Sequence, residues 1–182
     1  MNLYDIKEDW DDVKKRWEAW WNACLYDRPL LLVTAPKDNP EIPAEITGFI
    51  EEKTDWTRKW TDTNYLIEKT LYDIYTVYYG GETVPMFIHG WSVGHALTFG
   101  CEPHFEQNTI WADKLPIGEG ESFPAIKFDE NNKWWLKICE IEKTAALTSK
   151  KRFFLRAKWG NGAGDILGAC RGNENFMVEN FN

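Results

Sequence analysis

The most constraining feature of this chain lies near its end. Residues 152–157 (Arg-Phe-Phe-Leu-Arg-Ala) read as a strand, Trp159 to Gly164 as a glycine-rich loop, and residues 165–171 as the helix after it. A strand, loop and helix in this order normally lead to another parallel strand, because a βα unit buries its apolar faces only beside its neighbours. Ten residues, 173–182, follow. The pattern predicts one partial α/β domain over residues 1–182, the front portion of a larger fold.

The preceding chain interleaves helices and short strands. Trp10, Val13, Trp17, Trp20, Trp21 and Cys24 recur at helical spacing over 9–25, with acidic residues in the first turn where they suit the helix dipole. The run 29–35 is continuously apolar between prolines, the pattern of a strand buried on both faces. Three prolines then predict a loop and one short helix over 37–62. Ile67, Leu71, Ile74 and Tyr78 mark a helix over 63–79 stopped by Gly80-Gly81, and residues 84–88 a second buried strand. Ala96-Leu97 sits in a short helical piece, and segments such as 105–111 read as paired strands or an irregular excursion. Trp134, Ile138, Ile141, Ala145 and Thr148 share one helical face over 131–149, capped by Asp129 or Asn131. Residues 1–27 form a leading helical segment and 28–182 the first βα units.

Charge excludes one large class of partner. With 21 basic and 29 acidic residues the net charge is −8, and nucleic-acid binding requires a basic face that neutralises phosphates. No stretch approaches the ~20 apolar residues of a membrane span, and the N-terminus has no signal-peptide pattern, so the expected location is the cytoplasm. Four scattered cysteines, at 24, 101, 139 and 170, suit reduced, buried thiols better than a disulfide framework. The eleven tryptophans fit a large-residue core and interfaces better than a stacking platform for sugars or heterocycles, because most lie on helical periods.

Individual motifs do not name a reaction. His95, Cys101 and His104 are suitable zinc-ligand types, but their spacing matches no structural-zinc pattern and no Cys-x-x-Cys accompanies them; no metal is expected. In Gly160-Asn161-Gly162-Ala163-Gly164-Asp165 the third glycine of a dinucleotide fingerprint is replaced by Asp165, which serves better as a helix cap. Ser92 and Ser149 lack a nucleophile elbow. Glu51-Glu52 and Glu119-x-Glu121 read as solvated surface. His89 follows a buried strand, a rim position where an imidazole is useful as acid, base or donor, although a histidine satisfying loop backbone fits better.

Taken together, Trp17-x-x-Trp20-Trp21, Asp27-Arg28-Pro29, Gly94 to Gly100, Thr109-Ile110-Trp111, Phe128-Asp129-x-x-Asn132-x-Trp134-Trp135, Gly164-Asp165-Ile166-Leu167 and Arg171-Gly172-Asn173-Glu174-Asn175 resemble the uroporphyrinogen decarboxylase superfamily. The resemblance spans essentially the whole chain. It implies a (β/α)8 TIM barrel, here incomplete, with wall strands at 29–35, 84–88 and 152–157. It also implies either cofactor-free decarboxylation of a tetrapyrrole-like substrate or, in the corrinoid-linked branch, methyl transfer, in each case a lyase or methyltransferase that is inactive or feeble without the remaining barrel. The zinc ligands of the second branch belong to the later part of that fold, so neither zinc nor a cofactor is expected. The first strand is followed by Ala35-Pro36-Lys37-Asp38-Asn39-Pro40 rather than the family's arginine-rich loop, which counts against uroporphyrinogen itself. Rim candidates from position alone are Lys37 and His89 for catalysis and Trp91 and Trp159 for substrate binding. The alternative is a non-catalytic binding or assembly module completed by homodimerisation instead of by the missing barrel half. A tryptophan-rich sugar-binding module would need an all-β pattern that the helices contradict.

Overall fold

A computed structural model describes residues 3–24, 27–117, 127–156 and 162–181. Its elements run α1 (Leu3–Ile6), α2 (Trp10–Trp21), β1 (Leu32–Pro36), α3 (Trp56–Thr61), α4 (Thr63–Thr76), β2 (Val77–Gly81), β3 (Met86–Phe87), α5 (Gly94–Thr98), β4 (Pro103–Phe105), β5 (Ile110–Ala112), α6 (Lys133–Ser149), β6 (Phe154–Leu155), α7 (Ala163–Arg171) and α8 (Asn173–Phe181). The architecture is mixed α/β. Among the described residues the strands form three two-stranded sheets, and no barrel closes.

The chain divides into two compact units. Unit 1 comprises Met1–Glu51, Asn64–Ile88 and Thr144–Arg156; unit 2 comprises Glu52–Thr63, His89–Lys143 and Ala157–Asn182.

Unit 1 holds two of the sheets. β3 and β6 are parallel neighbours, Met86 opposite Phe154 and Phe87 opposite Leu155, so two of the three expected wall strands do lie side by side. The third is different. β1 pairs antiparallel with β2, Leu32 opposite Gly81 and Pro36 opposite Val77, and all five β1 residues are exposed rather than buried on both faces. A short apolar run between prolines is compatible with either an inner wall or an edge, and here the partner strand comes from the preceding helix reading. α4 stops at Thr76 instead of 79, because Val77-Tyr78-Tyr79 favours extended backbone and finds β1 to pair with. Gly81 then turns the chain at φ +57°, where any Cβ would run into the carbonyl oxygen of Leu31.

The polar centre of unit 1 is Glu82, 2 % exposed. Its carboxylate accepts from Arg28 Nη2 (2.6 Å) and Nη1 (3.0 Å), from Arg16 Nε (2.8 Å) and from the Leu31 N–H (2.7 Å). Trp17 Nε1 donates to its carbonyl at 2.9 Å. The Arg28 guanidinium, with the Leu31 N–H and Arg16, holds the carboxyl down at about 2 against the cost of burial. One side chain thereby ties α2, the approach to β1 and the end of β2.

Unit 2 is built around Trp91, which has no exposed surface. Its ring meets Trp134 at 5.7 Å and Phe105 at 6.2 Å, both edge-on, and its Nε1 donates to the Trp60 carbonyl at 2.7 Å. β4 and β5 pair antiparallel, the first of the two alternatives read for this region, with the turn between them falling inside 105–111. The N-terminus of α6 is capped by Asn132 rather than by Asp129 or Asn131: its Oδ1 accepts from the N–H groups of Trp134 and Trp135 at 2.8 and 3.1 Å. Asp165 stands at the third position of α7 and reaches back to accept from the Gly162 N–H at 3.2 Å. Residues after Gly172, whose φ is +86°, continue as α8, an element the sequence reading left out.

No helix among the described residues is long and apolar enough to cross a membrane.

Candidate functional site

Unit 1 contains a cavity of about 790 Å³. Its wall follows from two periodicities. On α4, Leu66, Lys69, Thr70, Asp73 and Ile74 recur at spacings of three and four, forming one helical stripe. On the antiparallel pair, Leu32 and Thr34 of β1 alternate onto the same face as Val77 and Tyr79 of β2, Thr34 directly opposite Tyr79. The segment Thr83 to Ile88, carrying β3, supplies the remaining, mostly apolar wall, and Arg156 stands immediately after β6.

The polar groups of this wall are few and differently committed. Lys69 Nζ and the Asp73 carboxylate are an i,i+4 pair at 2.7 Å, both a little over one-third exposed. Thr70 donates its hydroxyl to the Leu66 carbonyl at 2.8 Å. Burial, reinforced by the nearby Asp73 charge, pushes the Tyr79 hydroxyl up to about 12, so it is a neutral donor throughout the physiological range. The Thr83 hydroxyl is buried and meets no hydrogen-bonding group. The Arg156 backbone N–H donates to the Phe87 carbonyl at 3.1 Å, which fixes the residue at the carboxyl end of the parallel pair. Its guanidinium forms no ion pair among the described residues and is exposed. The wall therefore carries one uncompensated positive charge, the Lys69–Asp73 pair and a few hydroxyls on a largely apolar surface. An anionic head with an apolar body is the chemistry such a wall accepts.

The rim candidates named from sequence do not gather at this cavity. Lys37 is exposed just after β1, its backbone N–H bonded to the Thr76 carbonyl at 2.8 Å. His89 and Trp91 belong to unit 2; His89 is 4 % exposed and stacks on Trp91 with ring centroids 5.6 Å apart. Full burial and the bond to Trp60 make Trp91 a packing residue, not an exposed platform. Trp159 lies outside the described residues, as do most of the glycine-rich loop and Glu119-x-Glu121. Sequence reasoning passed over Arg156, although the rule that selected His89, a chemically useful residue directly after a wall strand, applies to it equally.

The zinc reading finds no geometry. His104 Nε2 pairs with Asp113 Oδ2 at 2.8 Å on the surface, while Cys101 Sγ lies 3.7 Å from Cys170 Sγ in the interior of unit 2. The Cys170 contact and burial push the Cys101 thiol up, so it stays protonated. Cys101 and Cys170 are buried free thiols, while Cys24 and Cys139 are exposed where the sequence favoured buried thiols. Among the described residues no cluster of three His, Cys, Asp or Glu side chains could hold a metal ion.

Comparison with protein-family models, with curated proteins and with solved structures finds no match to this chain.

Proposed function

We propose that this chain is a small-acid-binding α/β protein of the uroporphyrinogen decarboxylase-like kind, and that the cavity of unit 1 holds the apolar body of the acid while Arg156 meets its carboxylate. The observation that carries this reading is the pairing of a roughly 790 Å³ cavity of mostly apolar surface with a guanidinium that forms no ion pair among the described residues, at the carboxyl end of a parallel strand pair. Ligand sites of parallel α/β sheets lie at that end, and the volume falls within the ~300–1,000 Å³ of ordinary small-molecule sites.

The resemblance supplies the reaction class, decarboxylation or corrinoid-linked methyl transfer, and the cavity supports the first with a condition. Loss of CO2 leaves an electron pair on carbon that a proton must take up. Lys69, steered by Asp73, is the cation of the wall able to deliver one. A tetrapyrrole with many acidic arms fits poorly, because a single uncompensated cation faces the cavity and the chain as a whole carries −8. A monocarboxylate fits better. Free thiols and an acidic surface agree with a cytoplasmic setting.

Isothermal titration with the straight-chain carboxylates from butanoate to decanoate, the matching alcohols, and coproporphyrin tests this reading. Binding that strengthens with chain length, is absent for the alcohols and falls at least tenfold in Arg156→Met supports it. Porphyrin binding without carboxylate binding would restore the tetrapyrrole substrate. If neither class binds, the cavity is not a ligand site.

A further inference from the structure

The two free edges of the β1–β2 sheet are treated in opposite ways. Hydrogen bonding between the strands uses Leu31 and Lys37 on one side and Thr76 and Glu82 on the other: Glu82 N–H donates to the Leu31 carbonyl and Lys37 N–H to the Thr76 carbonyl. Backbone groups alternate along a strand. Odd-numbered residues of β1 therefore face β2, and Leu32 and Thr34 face away. On β2 the outward groups are those of Val77, Tyr79 and Gly81.

That outer edge of β2 is closed. Lys7, 5 % exposed, donates its ammonium to the Tyr79 carbonyl at 3.0 Å and to the Gly81 carbonyl at 2.8 Å, and is itself held by Asp9. A buried lysine planted on a strand edge prevents another strand from pairing there. The outer edge of β1 has no such guard. The N–H and C=O groups of Leu32 and Thr34 make no backbone or side-chain hydrogen bond among the described residues. The side chains along it are uncovered, Leu32 63 % and Val33 47 % exposed. The β3–β6 pair, with two residues in each strand, is too short to offer a comparable edge.

We infer that β1 is an interface between two copies of this chain, joined antiparallel about a two-fold axis through Val33. In that register Leu32 lies opposite Thr34 of the second copy, and each such pair exchanges both N–H···O=C bonds, giving four bonds across the axis. Every outward donor and acceptor of Leu32 and Thr34 is then used. The alternative centred on Thr34 sets Leu32 opposite Pro36, which has no N–H, and leaves a carbonyl unmet. The product is a four-stranded antiparallel sheet, in which Leu32 and Thr34 of both copies share the face that lines the cavities. The inference is independent of what those cavities bind.

Light scattering of the full chain over a hundredfold concentration range, with three variants, tests it. The wild type is expected at twice the 21.3 kDa chain mass. Thr34→Pro removes an outward N–H while leaving the β1–β2 bonds intact; it is expected at one chain mass with an unchanged circular dichroism spectrum. In a Cys24→Ser, Cys139→Ser background, Val33→Cys is expected to form a covalent dimer with diamide, since residues facing across a non-hydrogen-bonded pair lie ~4.5 Å apart at Cα, within disulfide reach. Ala35→Cys, displaced from its own copy by ~13 Å in this register, is expected not to. A wild type that stays at one chain mass throughout, a dimer that survives Thr34→Pro unweakened, or failure of Val33→Cys to cross-link would each overturn the inference.

Discussion

In unit 2 the centre is a tryptophan and in unit 1 it is a carboxylate. Trp91 is enclosed by Trp134, Phe105 and His89 and spends its one donor on the Trp60 carbonyl. Glu82 is enclosed by two guanidinium groups and a backbone N–H. Packing of tryptophan and phenylalanine rings carries no charge and loses stability chiefly when volume is removed, whereas a clamped carboxylate gives the backbone direction but depends on charge. In unit 1 the clamp organises the ends of β1 and β2, and a largely apolar cavity lies against the same strands.

The strongest challenge to this contrast is Trp91→Ala. Removing a fully buried tryptophan is expected to cost about 3–5 kcal/mol, with amide hydrogen exchange accelerating in unit 2 more than in the β1–β2 ladder. Equal acceleration in both units would show that they unfold as one and that the division has no energetic meaning.

Glu82→Gln attacks the other centre. Breaking a buried ion pair costs about 3–5 kcal/mol when both partners are buried; Arg16 and Arg28 are 22 % and 43 % exposed, so water reclaims them and about 2–3 kcal/mol is expected after that discount. The wild type adds a pH signature. The folded-state value of about 2 lies below the ordinary 4.5, so the stabilisation is complete above that ordinary value and is lost as pH falls from about 4.5 to about 2. Urea midpoints measured across this window are expected to decline steeply for the wild type and more gently for Glu82→Gln. Parallel declines would place the acid sensitivity on other carboxylates.

Much of the secondary structure was legible because it rests on local chemistry. The parallel partners β3 and β6 stood out as apolar runs, and the α6 stripe as a period of 3.6. β1 was legible as a strand but not as an edge, since Leu31, Leu32 and Val33 read the same whether covered or bare. The end of α4 was obscured because Tyr78 continues the helical spacing of Ile67, Leu71 and Ile74, and the choice between helix and strand was made by the distant β1. At the site, Lys69 and Asp73 were not singled out by the sequence, and Arg156 appeared only as part of the strand read at 152–157. Their meeting at one cavity depends on the long-range pairing of β1 with β2 beside α4, which no spacing announces.

Gly81→Ala sharpens the picture of unit 1 with a smaller effect. The backbone sits at φ +57° and a Cβ would collide with the Leu31 carbonyl oxygen, a rigid backbone atom in the very segment whose N–H serves Glu82. A loss of about 1–2 kcal/mol is expected, measured by urea unfolding, together with a shallower acid transition because the clamp loosens. If stability falls with the acid transition unchanged, the turn and the clamp are independent.

The smallest expected effect tests whether unit 2 relies on polar direction at all. Asn132 caps α6 through Oδ1 and donates Nδ2 to the Leu97 carbonyl at 3.2 Å. Loss of the cap in Asn132→Ala is expected to cost about 1 kcal/mol. Asn132→Asp keeps an acceptor for the Trp134 and Trp135 N–H groups and adds a negative charge where the helix dipole favours one, but cannot donate to Leu97. If capping dominates, the aspartate variant recovers most of the lost stability. If the tie to Leu97 dominates, it behaves like alanine, and unit 2 then shares with unit 1 the habit of fixing its backbone through a single polar side chain, so that the two regions differ in degree rather than in kind.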